Sequence, residues 1–174
     1  MALVMLTKNS KQRNYAFIDS QNLNLGIQEL GWKLDFKRFR VYLKEKYHAE
    51  RAYVFIGYMP EHQGLYNSLQ SYGYVLIFKP IIKDKHGDVK GNVDADLVLQ
   101  AMIDYPNYDK AIIVTSDGDF YSLARYLYKK NKLKMVLSPN RESCSSLLLR
   151  TAKEKINFLD NLRKKLEYKK KSTA

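Results

Sequence analysis

Short, continuously apolar runs alternate along this chain with longer segments of helical periodicity, and few folds accept that order. The runs lie at 14–19, 51–58, 74–79, 110–115 and 134–137 and are rich in Val, Ile, Phe and Tyr. A strand with one wet face alternates apolar with polar residues; runs without that alternation suit strands covered on both faces. Helical patterns fill 35–47, 61–72, 93–105 and 120–130, and two more, at 143–155 and 157–168, read as joined or kinked. Repeated β-α-β units with crossovers of this length imply a mainly parallel sheet with helices packed on it. The expected fold is therefore α/β, a three-layer α-β-α arrangement around a five-stranded sheet. At 174 residues the chain holds one such domain and is too short for two ordinary ones. Residues 1–13 read as an N-terminal extension, 14–158 as the domain, and 159–174 as the basic end of the last helix with its tail.

In sheets of this kind ligands bind beyond the carboxyl ends of the strands, where strand order reverses. Asp19 ends the first run, and Asp117 and Asp119 follow the run Ala111-Ile112-Ile113-Val114. Asp94 and Asp96 open the helical segment at 93–105. A helical wheel separates these two, taking Asn92 as the N-cap. Asp94 falls on the apolar stripe of Leu97, Val98, Ala101 and Tyr105, whereas Asp96 points away. A carboxylate on a core-facing stripe is costly unless paired or bound to a cation, so Asp94 is the candidate ligand. Asp96 reads as a first-turn acid complementing the helix dipole. In Asp117-Gly118-Asp119 either acid suits an N-cap for the next helix. Asp117, nearer the strand, is the better ligand; Asp119 reads as ligand, cap or both. Gly118 permits a tight turn and a close approach by something else. Asn22, three residues after Asp19, is placed to orient that carboxylate or a water with its amide, or to cap a short helix.

Oxygen donors with no histidine among them favour Mg²⁺ or Mn²⁺ over zinc. His48, His62 and His86 have no metal-ligand spacing, and the single Cys144 makes neither a zinc site nor an intramolecular disulfide. There is no P-loop, dinucleotide glycine fingerprint or Ser/Cys–His arrangement. An aspartyl-phosphate phosphatase would want an acid at Gln21, a receiver domain adjacent acids after its first strand, and a topoisomerase-primase site a glutamate at Asp19. The chain carries 30 Lys and Arg against 18 Asp and Glu, a net charge of +12. Half of that excess lies in 150–174, where nine basic residues meet three acids. A basic chain that gathers acids in one place suits cations bridging to a polyanion, and nucleic acid is such a polyanion. Phosphodiester hydrolysis by an ion-activated water is the chemistry these residues support. Lys83, Lys85 and Lys90 precede Asp94, and Arg125 and Arg141 follow Asp119; these are the expected phosphate contacts. Tyr58 and Phe120 are candidates for stacking on unpaired bases. No apolar stretch approaches the roughly 20 residues of a membrane span, and the opening residues are too few for a secretory signal. The expected location is cytoplasmic, with no membrane partner.

Three segments resemble a known family. Asp19-Ser20-Gln21-Asn22-Leu23 resembles the D-x-x-N-L opening of NYN-domain proteins of the LabA-like kind, within the PIN-like nucleases. Lys90-Gly91-Asn92-Val93-Asp94 is similar to their K-G-x-D segment with one residue inserted. Ser116-Asp117-Gly118-Asp119-Phe120 resembles their S-x-D-x-D-F signature, with Ser116 where many members carry glycine. The motifs stand in family order, and the likeness runs from about residue 14 to 158. It implies a PIN-like sheet ordered 3-2-1-4-5 and an Mg²⁺- or Mn²⁺-dependent ribonuclease, with single-stranded RNA as the expected partner. It also implies a site of Asp19, Asp94, Asp117 and Asp119 with Asn22 beside it. Some members bind RNA or partners without cleaving, so the alternative is an inactive RNA-binding or partner-docking module of the same fold. Leu147-Leu148-Leu149 and the last helix offer apolar surface to the body or to a second copy in a homodimer.

Overall fold

The computed structural model describes residues 12–80, 82–83, 89–90 and 93–170. The chain runs through β1 (Asn14–Asp19), α1 (Ser20–Glu29), α2 (Phe36–Tyr47), β2 (Ala49–Tyr58), α3 (Gln63–Ser71) and β3 (Val75–Pro80). A small antiparallel ribbon of β4 (Ile82–Lys83) and β5 (Val89–Lys90) leads into α4 (Asp94–Ile103). Then come β6 (Ala111–Val114), α5 (Tyr121–Lys129), β7 (Leu133–Ser138), α6 (Ser146–Ala152), β8 (Ile156–Phe158) and the one-turn α7 (Arg163–Leu166). The main sheet is six-stranded, ordered β3-β2-β1-β6-β7-β8, with every pairing parallel.

Side chains alternate between two cores, which is why the strands read as unbroken apolar runs. Ala16 and Ile18, Ala52 and Val54, and Ile112 and Val114 enter the core covered by α1, α2 and α7 through Leu23, Ile27, Phe39, Leu43 and Leu166. Tyr15 and Phe17, Tyr53 and Phe55, and Ala111 and Ile113 enter the other, beneath Leu97 of α4, Leu123 and Leu127 of α5 and Leu148 of α6. Full burial of an aromatic such as Phe17, which lies parallel to Tyr53 at 5.5 Å, contributes about 1.5–3 kcal/mol. Strand order reverses between β1 and β6, and the crevice above their carboxyl ends is the expected place for a site.

One expectation fails. Residues 157–168 form no continuous helix: Ile156–Phe158 pairs with Val136–Ser138 as a sixth strand, and only a 3-10 turn and the one-turn α7 follow. Leu159, Leu162 and Leu166 carry helical spacing, but the open edge of β7 offers backbone hydrogen bonds, and Leu159 N donates to Ser138 O at 3.0 Å. The segment closes on the body, since Leu159 and Leu166 are fully buried and Leu34 bridges to Glu167. Leu148 is buried as well, whereas Leu147 and Leu149 are each 37% exposed. The short helix that the sequence offered after Asp19 stands as the ten-residue α1, capped by Asp19 rather than by Asn22. Its Asn24 and Gly26 are poor helix formers, yet Asp19 caps it, and Gly26 lets Pro139 pack where a Cβ would stand within 2.6 Å. Among the described residues no helix is long and apolar enough to cross a membrane.

Candidate active site

β1 delivers Asp19 to the crevice, 5% exposed, and its carboxylate caps α1 by accepting from Asn22 N at 3.2 Å. The loop after β6 brings Asp117 and Asp119 alongside, and the first residue of α4 is Asp94. Asp94, Asp117 and Asp119 each offer one carboxylate oxygen, all within 4.8 Å of one another. Asp19 stands outside that tight trio but lines the same cleft of about 290 Å³, with Asn22, Val93, Asp94 and Asp117. Asp94 thus joins the cluster, whereas Asp96 lies half-exposed and pairs with Lys79 at 3.8 Å. Capping falls to Asp117, whose Oδ1 accepts from Asp119 N at 2.9 Å, so Asp119 keeps its carboxylate for the cluster.

Hydrogen bonds that cross the strand-order reversal hold the acids in place. Asn22 Oδ1 accepts from both Ser116 N at 2.8 Å and Ser116 Oγ at 3.0 Å, clasping α1 to the loop after β6. Its carbonyl is therefore turned to Ser116. Thr115 donates its hydroxyl to Asp19 at 3.4 Å and accepts from Asp117 N at 3.2 Å, joining the two acids that sequence treated separately. The approach that Gly118 permits is by Ser145, the N-cap of α6, whose Oγ lies 2.5 Å from where a Cβ would stand. Thr115 and Ser145 were both missed; Ser145 had a signal, a serine ahead of the apolar run Leu147-Leu148-Leu149.

The NYN domain profile matches residues 14–160. The chain belongs to the NYN domain family. NYN domains have a nuclease-like fold and are typically nucleases, and PIN-like nucleases generally use divalent metals. The NYN chain is 27% identical to the low amplitude and bright protein LabA of Synechococcus elongatus over 162 residues, 87% of this chain and 86% of that one. It is also similar in fold to a protein of unknown function from Vibrio parahaemolyticus. That likeness has a TM-score of 0.77 at 22% identity and covers 90% of this chain and 98% of the other.

Residues expected to meet substrate are spread more widely over this NYN domain. Lys83 and Lys90 lie on the β4–β5 ribbon ahead of Asp94, and Lys85 falls outside the described residues. Arg125 is exposed over the Tyr121 ring, and Arg141 stacks on Phe158 at 3.9 Å and pairs with Asp160. Neither arginine lines the acidic cleft. Phe120 is completely buried in the second core, which removes it as a base-stacking residue. Tyr58 remains accessible, 43% exposed and stacked on Tyr66.

The electrostatics of the NYN site favour a cation. Burial pushes the Asp19 carboxyl from the usual 3.8 up to about 6, and the charges of Asp94 and Asp117 add to it, against the hydrogen bonds from Asn22 and Thr115. The folded protein thus holds this proton more tightly than the unfolded chain. Its stabilising contribution is complete below pH about 4 and is lost as pH rises to about 6. Asp19→Asn keeps an oxygen to cap α1 and carries no charge. In chelator its stability relative to wild type is expected to rise by about 2 kcal/mol between pH 4 and pH 7, measured by urea unfolding. A difference that stays constant across that window would refute the assignment.

Proposed function

We propose that this NYN domain hydrolyses phosphodiester bonds in RNA, using Mg²⁺ or Mn²⁺ held by Asp94, Asp117 and Asp119 with Asp19 beside them. One observation carries the reading. Three carboxylates from two separate elements converge within 4.8 Å at the carboxyl end of a parallel sheet, in a protein of net charge +12. Like charges this close repel, and a hard divalent cation relieves that repulsion with the oxygen ligands it prefers. When bound, the ion supplies activation of water and neutralisation of charge at the phosphoryl group.

The chain's own residues do the rest. Asp19, fixed by Asn22 N and Thr115, sets a further carboxylate on the cleft wall. The Asn22 clasp and the Thr115 bridge keep the acids in position before substrate arrives, so little reorganisation is needed at the moment of reaction. The basic surface draws the strand in through its phosphates. In the reaction a water oxygen bonds to phosphorus and gives up a proton to solvent, the bridging P–O bond breaks, and the leaving alkoxide takes up a proton from solvent.

The test is end-labelled single-stranded RNA incubated with protein at saturating concentration in Mg²⁺, Mn²⁺ or EDTA. Cleavage with either ion and none in EDTA is the expected outcome. RNA that stays intact while fully bound would replace this reading with that of a binding module, and cleavage undiminished by EDTA would remove the metal from it.

A further inference from the structure

A second, larger cleft opens beside the acidic one. Its volume is about 600 Å³, within the roughly 300–1,000 Å³ range of small-molecule sites, and it shares Gln21 and Val93 with the acidic cleft. The two cavities therefore meet, with Asp19 lining one and its neighbour Ser20 lining the other. One wall is a face of α1. Gln21, Asn24 and Gln28 sit at positions i, i+3 and i+7, so three carboxamides form a single stripe about 10 Å long. The facing wall is apolar, from Ile56 of β2, Met59 and Leu65 of α3, with the buried Leu69 behind them. Leu65 is 43% exposed, a large aliphatic side chain left at the surface. The buried Tyr66 braces that wall: its hydroxyl accepts from Met59 N at 2.8 Å and donates to Gly57 O at 3.2 Å. Lys33 adds a positive charge to the lining.

We propose that this cleft holds an unpaired base of the RNA strand whose phosphate occupies the acidic cleft; the proposal rests on the nuclease reading above. Carboxamides both donate and accept hydrogen bonds, as the edges of unpaired bases require. The apolar wall suits the face of a base, and Lys33 suits the adjoining phosphate. A wholly apolar ligand would leave the amide stripe unmatched. A base within a duplex has its pairing edge occupied and its faces stacked, so the cleft selects single strands.

The test uses the full chain in EDTA, so that no cleavage intervenes, and short single-stranded RNAs carrying 2-aminopurine at each position in turn. One position, or two adjacent ones, is expected to change fluorescence on binding while the others do not. Asn24→Ala/Gln28→Ala removes hydrogen-bonding groups from residues that are not buried, and Leu65→Ala removes part of the apolar wall. Each variant is expected to weaken binding about 10-fold and to erase the position-specific signal. RNA bound with wild-type affinity and an unchanged signal in both variants would overturn the base cleft and leave the nuclease reading standing. Failure to bind any of the RNAs, by the wild-type chain in EDTA and by the non-cleaving Asp117→Asn variant in Mg²⁺ alike, would overturn both.

Discussion

Asp117→Asn is expected to abolish RNA cleavage, a loss of about 1,000-fold or more, while changing RNA affinity by no more than about threefold. The substitution is nearly isosteric. Its amide oxygen can still accept from Asp119 N, the 2.9 Å bond that shapes the turn, so the loop keeps its form. What disappears is one of three negative charges that converge within 4.8 Å. A divalent cation loses a ligand there, and the strand, drawn in by basic groups elsewhere, does not. Asp96→Asn is the matched control. Asp96 lies in the first turn of α4 together with Asp94 but faces Lys79, and its loss is expected to leave cleavage unchanged. Single-turnover cleavage and equilibrium binding on the same RNA separate the two effects. An Asp117→Asn protein as active as wild type, or an Asp96→Asn protein as damaged as Asp117→Asn, would refute the site.

Gly118→Ala tests the support behind those acids. The added methyl would stand 2.5 Å from Ser145 Oγ and 3.2 Å from Ser145 Cβ, and the serine cannot simply swing away. Its hydroxyl accepts from Leu147 N at 3.2 Å as the cap of α6, and its own N–H is bound to Ser116 O at 3.0 Å. The loop must move instead, carrying Asp117 and Asp119 with it. The expected cost is about 2 kcal/mol of stability, in line with overpacking elsewhere. Cleavage is expected to fall about 100-fold, the scale on which a displacement near 1 Å acts on positioned groups. Gly118→Ala/Ser145→Gly removes the obstructing atoms for a few tenths of a kcal/mol in capping, and it is expected to recover most of both losses. If the double variant is no better than the single one, the collision is not the cause. Urea unfolding and the cleavage assay read the two effects independently.

Local pattern carried the parallel β-α-β architecture and the placing of Asp19, Asp94 and Asp117 at strand and helix ends, whereas the order of the first five major strands came with the family resemblance. Continuous apolar runs mark two-sided strands, and a helical wheel sorts Asp94 from Asp96 without any knowledge of what packs above. It failed where a distant partner decides. Ile156-Asn157-Phe158 becomes a strand only because β7 presents an unpaired edge, and the leucines around it imitate a helix. Phe120 looked like a substrate contact beside two acids, yet α5 starts there and turns the ring inward. Thr115 and Ser145 act through residues far from them in the chain, so neighbours in sequence say little about what they do. The base cleft was invisible for the same reason: its amide stripe lies on α1, a helix that composition disfavours.

The Asn22 clasp also makes the site observable without substrate or metal. Ser116 N–H lies in a loop, beyond the hydrogen-bond ladder of β6, and its acceptor is a side chain 94 positions away. A loop amide left to water exchanges its hydrogen quickly; this one exchanges only when α1 and the β6 loop part. Its exchange rate is thus a clock for the opening of the crevice. Slowing of that one amide on adding Mn²⁺ or RNA would register closure across the middle of the sheet, in a protein doing no chemistry at all.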